Sequence, residues 1–298
     1  MNISAQRFTT KTRTWLFIAG LTALLIGIGA VIGGMFLYAF VALAVATNVV
    51  GYWFSDRLAL KASRAQPVEP GTNAVLETMV QDLAQRAQVP VPRLYTIPSE
   101  QPNAFATGRN PEHAALAVTN GLLQQLPAEQ VESVLAHEFG HIKNRDILVS
   151  SIAAMVAGAI AAIANLLQFS LLFGGEEEDA GPLGWIGLLG TIIFAPLAAS
   201  LLQLGVSRQR EYLADATGAE VLGRAWPLAD ALETLELRAQ TVPLDVNPAT
   251  ASLYVVNPLR RQGLATLFST HPPVAERVRR LRALDGALDG DRTIRLVA

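Results

Sequence analysis

The segment HEFGH, His137 to His141, combines two imidazoles and one carboxylate at a spacing that suits metal chemistry. Residues four apart on a helix project from the same face, so His137 and His141 can bind one ion together. Glu138 then stands beside that ion, where its carboxylate can take a proton from a water molecule. This pattern predicts a hydrolase that activates water with a metal, and zinc is the ion that such ligands suit.

A catalytic zinc site needs a third protein ligand as well as an open position for water. The chain has no cysteine, so this ligand must be a histidine or a carboxylate. We predict Glu211, in the segment REYLAD, as the third ligand, and Asp215 lies one helical turn further along the same face. We expect Asp215 to accept the ring N–H of a liganding histidine and so to fix its tautomer. The alternative is that both acids belong to the charge pattern of an ordinary surface helix.

Other interpretations of the histidines are also open. His137 and His141 could be solvent-facing residues at the end of a helix. A di-iron helical bundle would need two Glu-x-x-His motifs, and only Glu138 to His141 qualifies. His113, in the turn-like stretch NPEH, is predicted to lie at the surface. His271 in THPP precedes a predicted helix, a position that suits either a functional role or a structural one.

Long uncharged blocks surround the candidate ligands. The block from Thr14 to Ser55 has 42 uncharged residues, which as one helix would run roughly 63 Å, about twice the ~30 Å hydrocarbon thickness. Gly33 and Gly34 divide it into two stretches, and two further stretches flank an acidic turn at 176–179. We therefore predict four transmembrane helices in two hairpins, at 15–32, 35–54, 147–175 and 180–207. A signal peptide over residues 1–30 is the alternative for the first stretch.

Lysine and arginine flank both hairpins on the same side, whereas the turns inside the hairpins lack basic residues. Cytoplasmic flanks carry this excess, so both termini and the polar regions are predicted to be cytoplasmic. The second hairpin would return the chain to the same surface, so His141 and Glu211 could meet although 70 residues separate them. The predicted divisions are a cytoplasmic N-terminus (1–14), the first hairpin (15–55), the first protease part (56–146), the second hairpin (147–207) and the second protease part (208–298).

The polar segments contain the patterns of helices and of short strands. An amphipathic helix is predicted from Asn73 to Gln88, with an apolar side made of Val75, Leu76, Met79, Val80 and Leu83. A second helix is predicted to start at Pro127 and to carry Val131, Val134, Leu135 and Ile142. Short strands are predicted at 93–97, 103–107 and 115–119, and further helices at 226–240 and 273–284.

The overall composition excludes some classes of function. Hydrophobic residues make up 51% and charged residues 16% of the chain, and the mean hydropathy of +0.33 indicates a partly membrane-embedded protein. The net charge of -2 does not bear on nucleic-acid binding, but no basic stretch of the kind that follows a phosphate backbone is present, so no nucleic-acid partner is expected. A transporter would need ionisable groups inside the spans. The predicted spans contain no acidic or basic residue, and their amide side chains are Asn48, Asn165, Gln168 and Gln203, so a transporter is not favoured.

Four motifs, in order, together resemble one known family. NAFATG, HEFGHIKNRD, SRQREYLADATGAE and STHPPVAER are similar to segments of the HtpX-type membrane zinc endopeptidases, which are relatives of the Ste24 group of CAAX-prenyl proteases. The resemblance covers essentially the whole chain. It implies a mainly α membrane protein with four transmembrane helices in two hairpins and a cytoplasmic zincin-like α+β metalloprotease domain with a small antiparallel sheet.

The resemblance also implies roles for individual residues. His137, His141 and Glu211 would bind one Zn²⁺ per chain, Glu138 would be the general base, and Asp215 the supporting acid. Asn103, Ala104 and Phe105 match the edge-strand segment whose backbone pairs with an extended substrate. His271 and Arg277 match positions that help to stabilise the tetrahedral oxyanion.

The function implied is that of a zinc metalloendopeptidase in the bacterial inner membrane. It would cleave misfolded or damaged membrane proteins on the cytoplasmic side, as part of quality control and the stress response, in cooperation with other membrane proteases. Its partners would be polypeptide substrates and the lipid bilayer. The alternative is a catalytically inactive membrane scaffold or chaperone on the same fold, for which loss of Glu138 or of a ligand would be the signature.

Overall fold

The first long helix begins where the glycine pair was predicted to divide the first uncharged block. The computed structural model describes residues 34–154, 208–242, 244, 250–258 and 272–297, together with scattered helical positions between 18 and 30. Helix α1, Met35–Ala62, starts after Gly34, whose φ of 58° favours glycine. Its Asn48 Nδ2 donates a hydrogen bond to Thr22 Oγ1 at 2.8 Å, so the helical positions before Gly34 lie beside α1.

The predicted spans fall largely on residues that are not described. Residues 147–154 are helical, but the rest of the span at 147–175 and all of the span at 180–207 lie outside the described residues. Within the described part of the chain, no helix has both the length and the apolar character needed to span a bilayer. The arrangement of four spans stays a prediction.

A four-stranded sheet lies beside the helices. Its strands are β1 (Gln66–Pro67), β2 (Arg93–Ile97), β3 (Ala104–Thr107) and β4 (Ala115–Thr119), in the order β1-β2-β4-β3. The strand positions predicted from the sequence agree closely, but the predicted antiparallel sheet is wrong, because β2 and β4 pair in parallel. Strands β2 and β3 run in opposite directions and β4 inserts between them, so it must be parallel to one of the two.

Helix α2, Ala74–Ala87, follows the predicted amphipathic segment. The Asn73 side chain caps it by accepting a hydrogen bond from the Leu76 amide, and Gln88 ends it in the left-handed conformation. Leu76, Val80 and Leu83 are buried as predicted. Val75 is not, because its side chain is 73% exposed.

The remaining helices build the core around the sheet. They are α3 (Asn120–Gln125), α4 (Ala128–Asn144), α5 (Arg208–Leu222), α6 (Trp226–Thr241) and α7 (Val274–Val297). The apolar residues predicted to line one face of α4, Val131, Val134, Leu135 and Ile142, are all buried in the main hydrophobic cluster. Pro127 precedes α4 and its φ of −57° suits a helix start. Helix α7 extends beyond the predicted end at residue 284.

Candidate metal centre

Helix α4 carries His137, Glu138 and His141 into the interior of the protein. The exposed fraction is 0% for His137 and 2% for Glu138, and the ring planes of the two histidines are nearly perpendicular, with centroids 4.7 Å apart. The His141 side chain is 15% exposed, so neither histidine is a solvent-facing residue at the end of a surface helix. Glu211 and Asp215 of α5 are buried as well, so the acids do not belong to an exposed charge pattern.

Two glycines let α5 approach α4 closely. A Cβ atom on Gly140 would lie 2.7 Å from the Ala214 carbonyl oxygen, and one on Gly218 would lie 2.9 Å from the His137 backbone nitrogen. Side chains at these positions would push the helices apart. Sequence reasoning missed this pair, although Gly140 lies inside HEFGH and Gly218 lies seven residues after Glu211. The close contact places the Glu211 carboxylate over the two imidazoles.

The three predicted ligands converge on one point. The Nε2 atoms of His137 and His141 are 3.2 Å apart, the Glu211 Oε1 is 3.5 Å from His141 Nε2, and the Glu211 Oε2 is 3.7 Å from His137 Nε2. A tetrahedral zinc ion with ordinary bond lengths has ligand atoms about 3.4 Å apart. These donor atoms therefore fit zinc in both chemical type and spacing, and they form a group that could hold a metal.

Each histidine has its own buried carboxylate on the opposite ring nitrogen. His137 Nδ1 is 2.9 Å from Asp215 Oδ1, the interaction expected for Asp215, and His141 Nδ1 is 3.0 Å from Asp146 Oδ1. A neutral imidazole that donates from Nδ1 leaves the lone pair of Nε2 for a metal. Both Nε2 atoms are thus prepared as ligands. Asp146 was not predicted, although it lies only five residues after His141.

Glu138 lies beside the two histidines, in surroundings that change the pKa of its carboxyl group. Burial raises the pKa of its carboxyl group above the ordinary value, while His137 and His141 oppose this rise and a hydrogen bond from the Ala106 backbone also lowers the pKa. Glu138 therefore lies between the histidines and strand β3. A carboxylate with a raised pKa beside a metal-binding group is suited to accept a proton from water.

Arg277 of α7 contacts Asp215 rather than open solvent. Its Nε and Nη2 donate to the two carboxylate oxygens of Asp215 at 2.9 and 2.7 Å, and its Nη1 donates to the Val255 carbonyl at 2.9 Å. Burial alone would raise the pKa of Asp215, but Arg277 and His137 hold it to about 2. Arg277, which is 0% exposed, thus lies behind His137, with its Nη1 3.7 Å from Glu211 Oε2.

The predicted substrate segment lies at an edge of the sheet but contacts another part of the same chain. Asn103 Nδ2 donates to the Val256 carbonyl at 2.8 Å, and the Val255 amide donates to the Ala104 carbonyl at 3.1 Å. The Phe105 ring packs edge-on against Tyr254, with centroids 5.0 Å apart. Sequence reasoning gave no signal for this contact between β3 and residues 254–256.

Of the other two histidines, one is exposed and one is not described. His113 is exposed as predicted, and its Nδ1 is 2.7 Å from the Asn110 side-chain oxygen. His271 lies outside the described residues.

Comparisons of the sequence with known proteins identify proteases, and a solved structure is similar in fold. Residues 70–285 match the family model described as Peptidase family M48. The chain is 49% identical to a Protease HtpX homolog of Syntrophobacter fumaroxidans, over 92% of this chain and 99% of that protein. It is 50% identical to the Persephonella marina homolog, over 90% and 95%. It also resembles the crystal structure of S. mikatae Ste24p in fold, with a TM-score of 0.50 and 21% identity over 93% of this chain and 67% of that chain.

Proposed function

Because the chain belongs to peptidase family M48 and is a metalloendopeptidase, we propose that it is a zinc-dependent enzyme of the bacterial inner membrane. Its proposed substrates are misfolded or damaged membrane proteins, which it cleaves on the cytoplasmic side. The zinc-dependent chemistry is supported above all by the convergence of His137, His141 and Glu211, since one ligand atom of each lies within 4.8 Å of the others. The buried carboxylate of Glu138 lies beside them.

In the proposed mechanism, three residues hold the metal and one moves the proton. His137, His141 and Glu211 would bind Zn²⁺, which supplies Lewis-acid polarisation of the scissile carbonyl and lowers the pKa of an attacking water. Glu138 accepts the proton of that water and delivers it to the nitrogen of the leaving amine. Asp215 keeps the His137 ring in the orientation that presents Nε2.

We propose that β3 binds the substrate backbone through Asn103, Ala104 and Phe105. Strand β3 is an outer strand of the described sheet and runs past Glu138, which supports binding by strand addition. The Ala104 carbonyl already accepts a hydrogen bond from Val255, so a substrate that pairs there replaces that bond. Recognition through the backbone would give broad sequence specificity.

We propose different roles for the two residues expected at the oxyanion. His271 stabilises the oxyanion of the tetrahedral intermediate, as the resemblance implies. Arg277 acts as a positioning residue, because its guanidinium is committed to the two oxygens of Asp215 and to the Val255 carbonyl. Its positive charge lies next to two of the proposed ligands, with Nη2 3.3 Å from His137 Nδ1 and Nη1 3.7 Å from Glu211 Oε2.

The surface of α1 supports the membrane location. Large apolar side chains are exposed along this helix, at Met35, Tyr38, Leu43, Val45, Val49 and Trp53. Large apolar side chains left exposed in this number are typical of a surface that contacts a membrane or a partner. Arg109 lies over the Trp53 ring at 4.5 Å and Arg57 over Phe54 at 5.6 Å, and aromatic and basic residues commonly meet at the cytoplasmic interface of a bilayer.

The test is to purify the full chain in detergent, load it with zinc and compare cleavage of an unfolded polypeptide by the wild type and by Glu138→Ala. We expect the variant to retain zinc and to lose cleavage by several orders of magnitude. Equal cleavage by both proteins would contradict the proposed role of Glu138. A wild type that binds the unfolded polypeptide without cleaving it would instead favour the scaffold or chaperone alternative.

A further inference from the structure

Asp146 is a buried acid whose only side-chain partner among the described residues is His141. Its side chain is 0% exposed, its Oδ1 lies 3.0 Å from His141 Nδ1, and its Oδ2 has no hydrogen-bond partner in the described part of the chain. We propose that Asp146 is a positioning residue that fixes the tautomer and the ring orientation of His141, so that Nε2 faces the metal. This inference rests on the proposed zinc-dependent function.

The backbone around Asp146 is held on both sides. Helix α4 ends at Asn144, and its C-cap residue Arg145 takes the left-handed conformation with φ at 60°. The chain therefore turns back, and the Asp146 amide donates to the His141 carbonyl at 3.3 Å. The Asp146 carbonyl in turn accepts a hydrogen bond from the Ser150 amide at 3.3 Å, in the helix at 147–154. Asp146 thus lies in a fixed junction between two helices, and its carboxylate is aimed at His141.

The surroundings of Asp146 favour a functional explanation over a structural one. A carboxylate buried without a cation or a full set of hydrogen bonds destabilises a fold. The comparable acid, Asp215, has the Arg277 guanidinium on both of its oxygens as well as His137. Asp146 has no such cation within salt-bridge range among the described residues, so its stabilising interaction is with the imidazole of His141. A buried carboxylate that interacts only with a histidine can hold that histidine in the orientation of a metal ligand.

The contact has a definite chemical consequence. When the neutral His141 ring donates a hydrogen bond from Nδ1–H to Asp146, its lone pair lies on Nε2. That Nε2 is 3.2 Å from His137 Nε2 and 3.5 Å from Glu211 Oε1. Without this acceptor, the ring can take the other tautomer or rotate, and Nε2 is no longer held as a ligand. Loss of a carboxylate that supports a liganding histidine typically weakens metal binding 10- to 100-fold.

The experiment measures zinc affinity by competition with a chelator on the full chain in detergent. The variants are Asp146→Asn, which keeps the size of the side chain, and Asp146→Ala. The control is Glu129→Gln, which removes an exposed acid from α4, the helix that carries His141. We expect zinc affinity to fall at least tenfold in both Asp146 variants and to stay within twofold of wild type in the control. The unfolding temperature of metal-free Asp146→Asn should not fall below that of the metal-free wild type.

A second readout separates positioning from a merely structural role. With Co²⁺ in place of zinc, the visible absorption bands of Asp146→Asn should shift relative to wild type, because the orientation and basicity of one ligand change. Wild-type zinc affinity together with an unshifted spectrum would overturn the inference and leave the proposed function standing. If the wild type itself fails to bind zinc, the proposed function fails, which is a different result.

Discussion

Gly218 of α5 rests on the backbone of His137: a Cβ atom at Gly218 would lie 2.9 Å from the His137 nitrogen and 2.9 Å from the carbonyl carbon of Ala136. Backbone atoms cannot move aside as a flexible side chain can. The distance between Glu211 and the two histidines is therefore set by a contact that only glycine permits at this position.

Gly218→Ala should separate the two helices and weaken the metal site. We expect zinc affinity and cleavage to fall together, with a loss of folding stability of roughly 1–3 kcal/mol from overpacking. Chelator competition and thermal unfolding measure the two effects. Gly286→Ala is the matched control, because a Cβ there meets nothing within 4 Å and the position is also helical. Unchanged zinc affinity in Gly218→Ala would show that the close contact does not position Glu211.

Asn103→Ala should lower the stability of the protein as well as its activity. Asn103 is 1% exposed and its side chain bonds the Val256 carbonyl, so its loss leaves a buried acceptor without this donor, at a cost of about 1–3 kcal/mol. Thermal unfolding without substrate measures this cost, with the exposed Asn120→Ala as the control. If Asn103 contacts only substrate, cleavage would fall while the unfolding temperature stayed the same.

The Asp215 carboxylate should stabilise the metal-free fold in a pH-dependent way. Burial raises its pKa, but Arg277 and His137 hold the folded pKa to about 2, below the ordinary value of 3.8. Ionised Asp215 therefore stabilises the fold above about pH 4, and this contribution is lost as the pH falls towards 2. Between pH 6 and pH 2, the unfolding temperature of the chelator-treated wild type should approach that of Asp215→Asn. Curves that stay parallel would contradict the interaction with Arg277.

The proposed topology gives a prediction for reporter fusions. A reporter placed after Glu177 should score as external, because the acidic turn lies between two predicted spans whose outer flanks are basic. Reporters after Arg64 and after Ala298 should score as cytoplasmic. An internal signal at Glu177 would remove the second hairpin from the account, although the metal site would be unaffected.

Local patterns predicted the elements of the fold well because each has its own boundary signal. Asn73 and Gln88 enclose α2 as its caps, and the apolar spacing of α4 identified its buried face. The predicted ligands His137, His141 and Glu211 lie together. The helix fixes the spacing of the two histidines, and Glu211 could be predicted because it lies in the first turn of α5, just after the second predicted hairpin.

Contacts between elements could not be predicted in the same way. Nothing in β2, β3 or β4 specifies that β4 inserts between the other two. The approach of α4 to α5 depends on Gly140 and Gly218, whose importance appears only when the other helix is present. Asp146 carried a signal that could have been used, since it is an acid only five residues after His141. Its contact with His141, however, depends on the left-handed turn at Arg145.

The most direct test of the account is the zinc content of three proteins purified in parallel and equilibrated with limiting chelator: the wild type, Glu138→Gln and Glu211→Gln. We expect about one zinc per chain in the wild type and in Glu138→Gln, because Glu138 is proposed as the base and not as a ligand, and a large loss of zinc in Glu211→Gln. Glu211→Gln that folds and retains zinc with wild-type affinity would contradict the claim that His137, His141 and Glu211 together form the metal site.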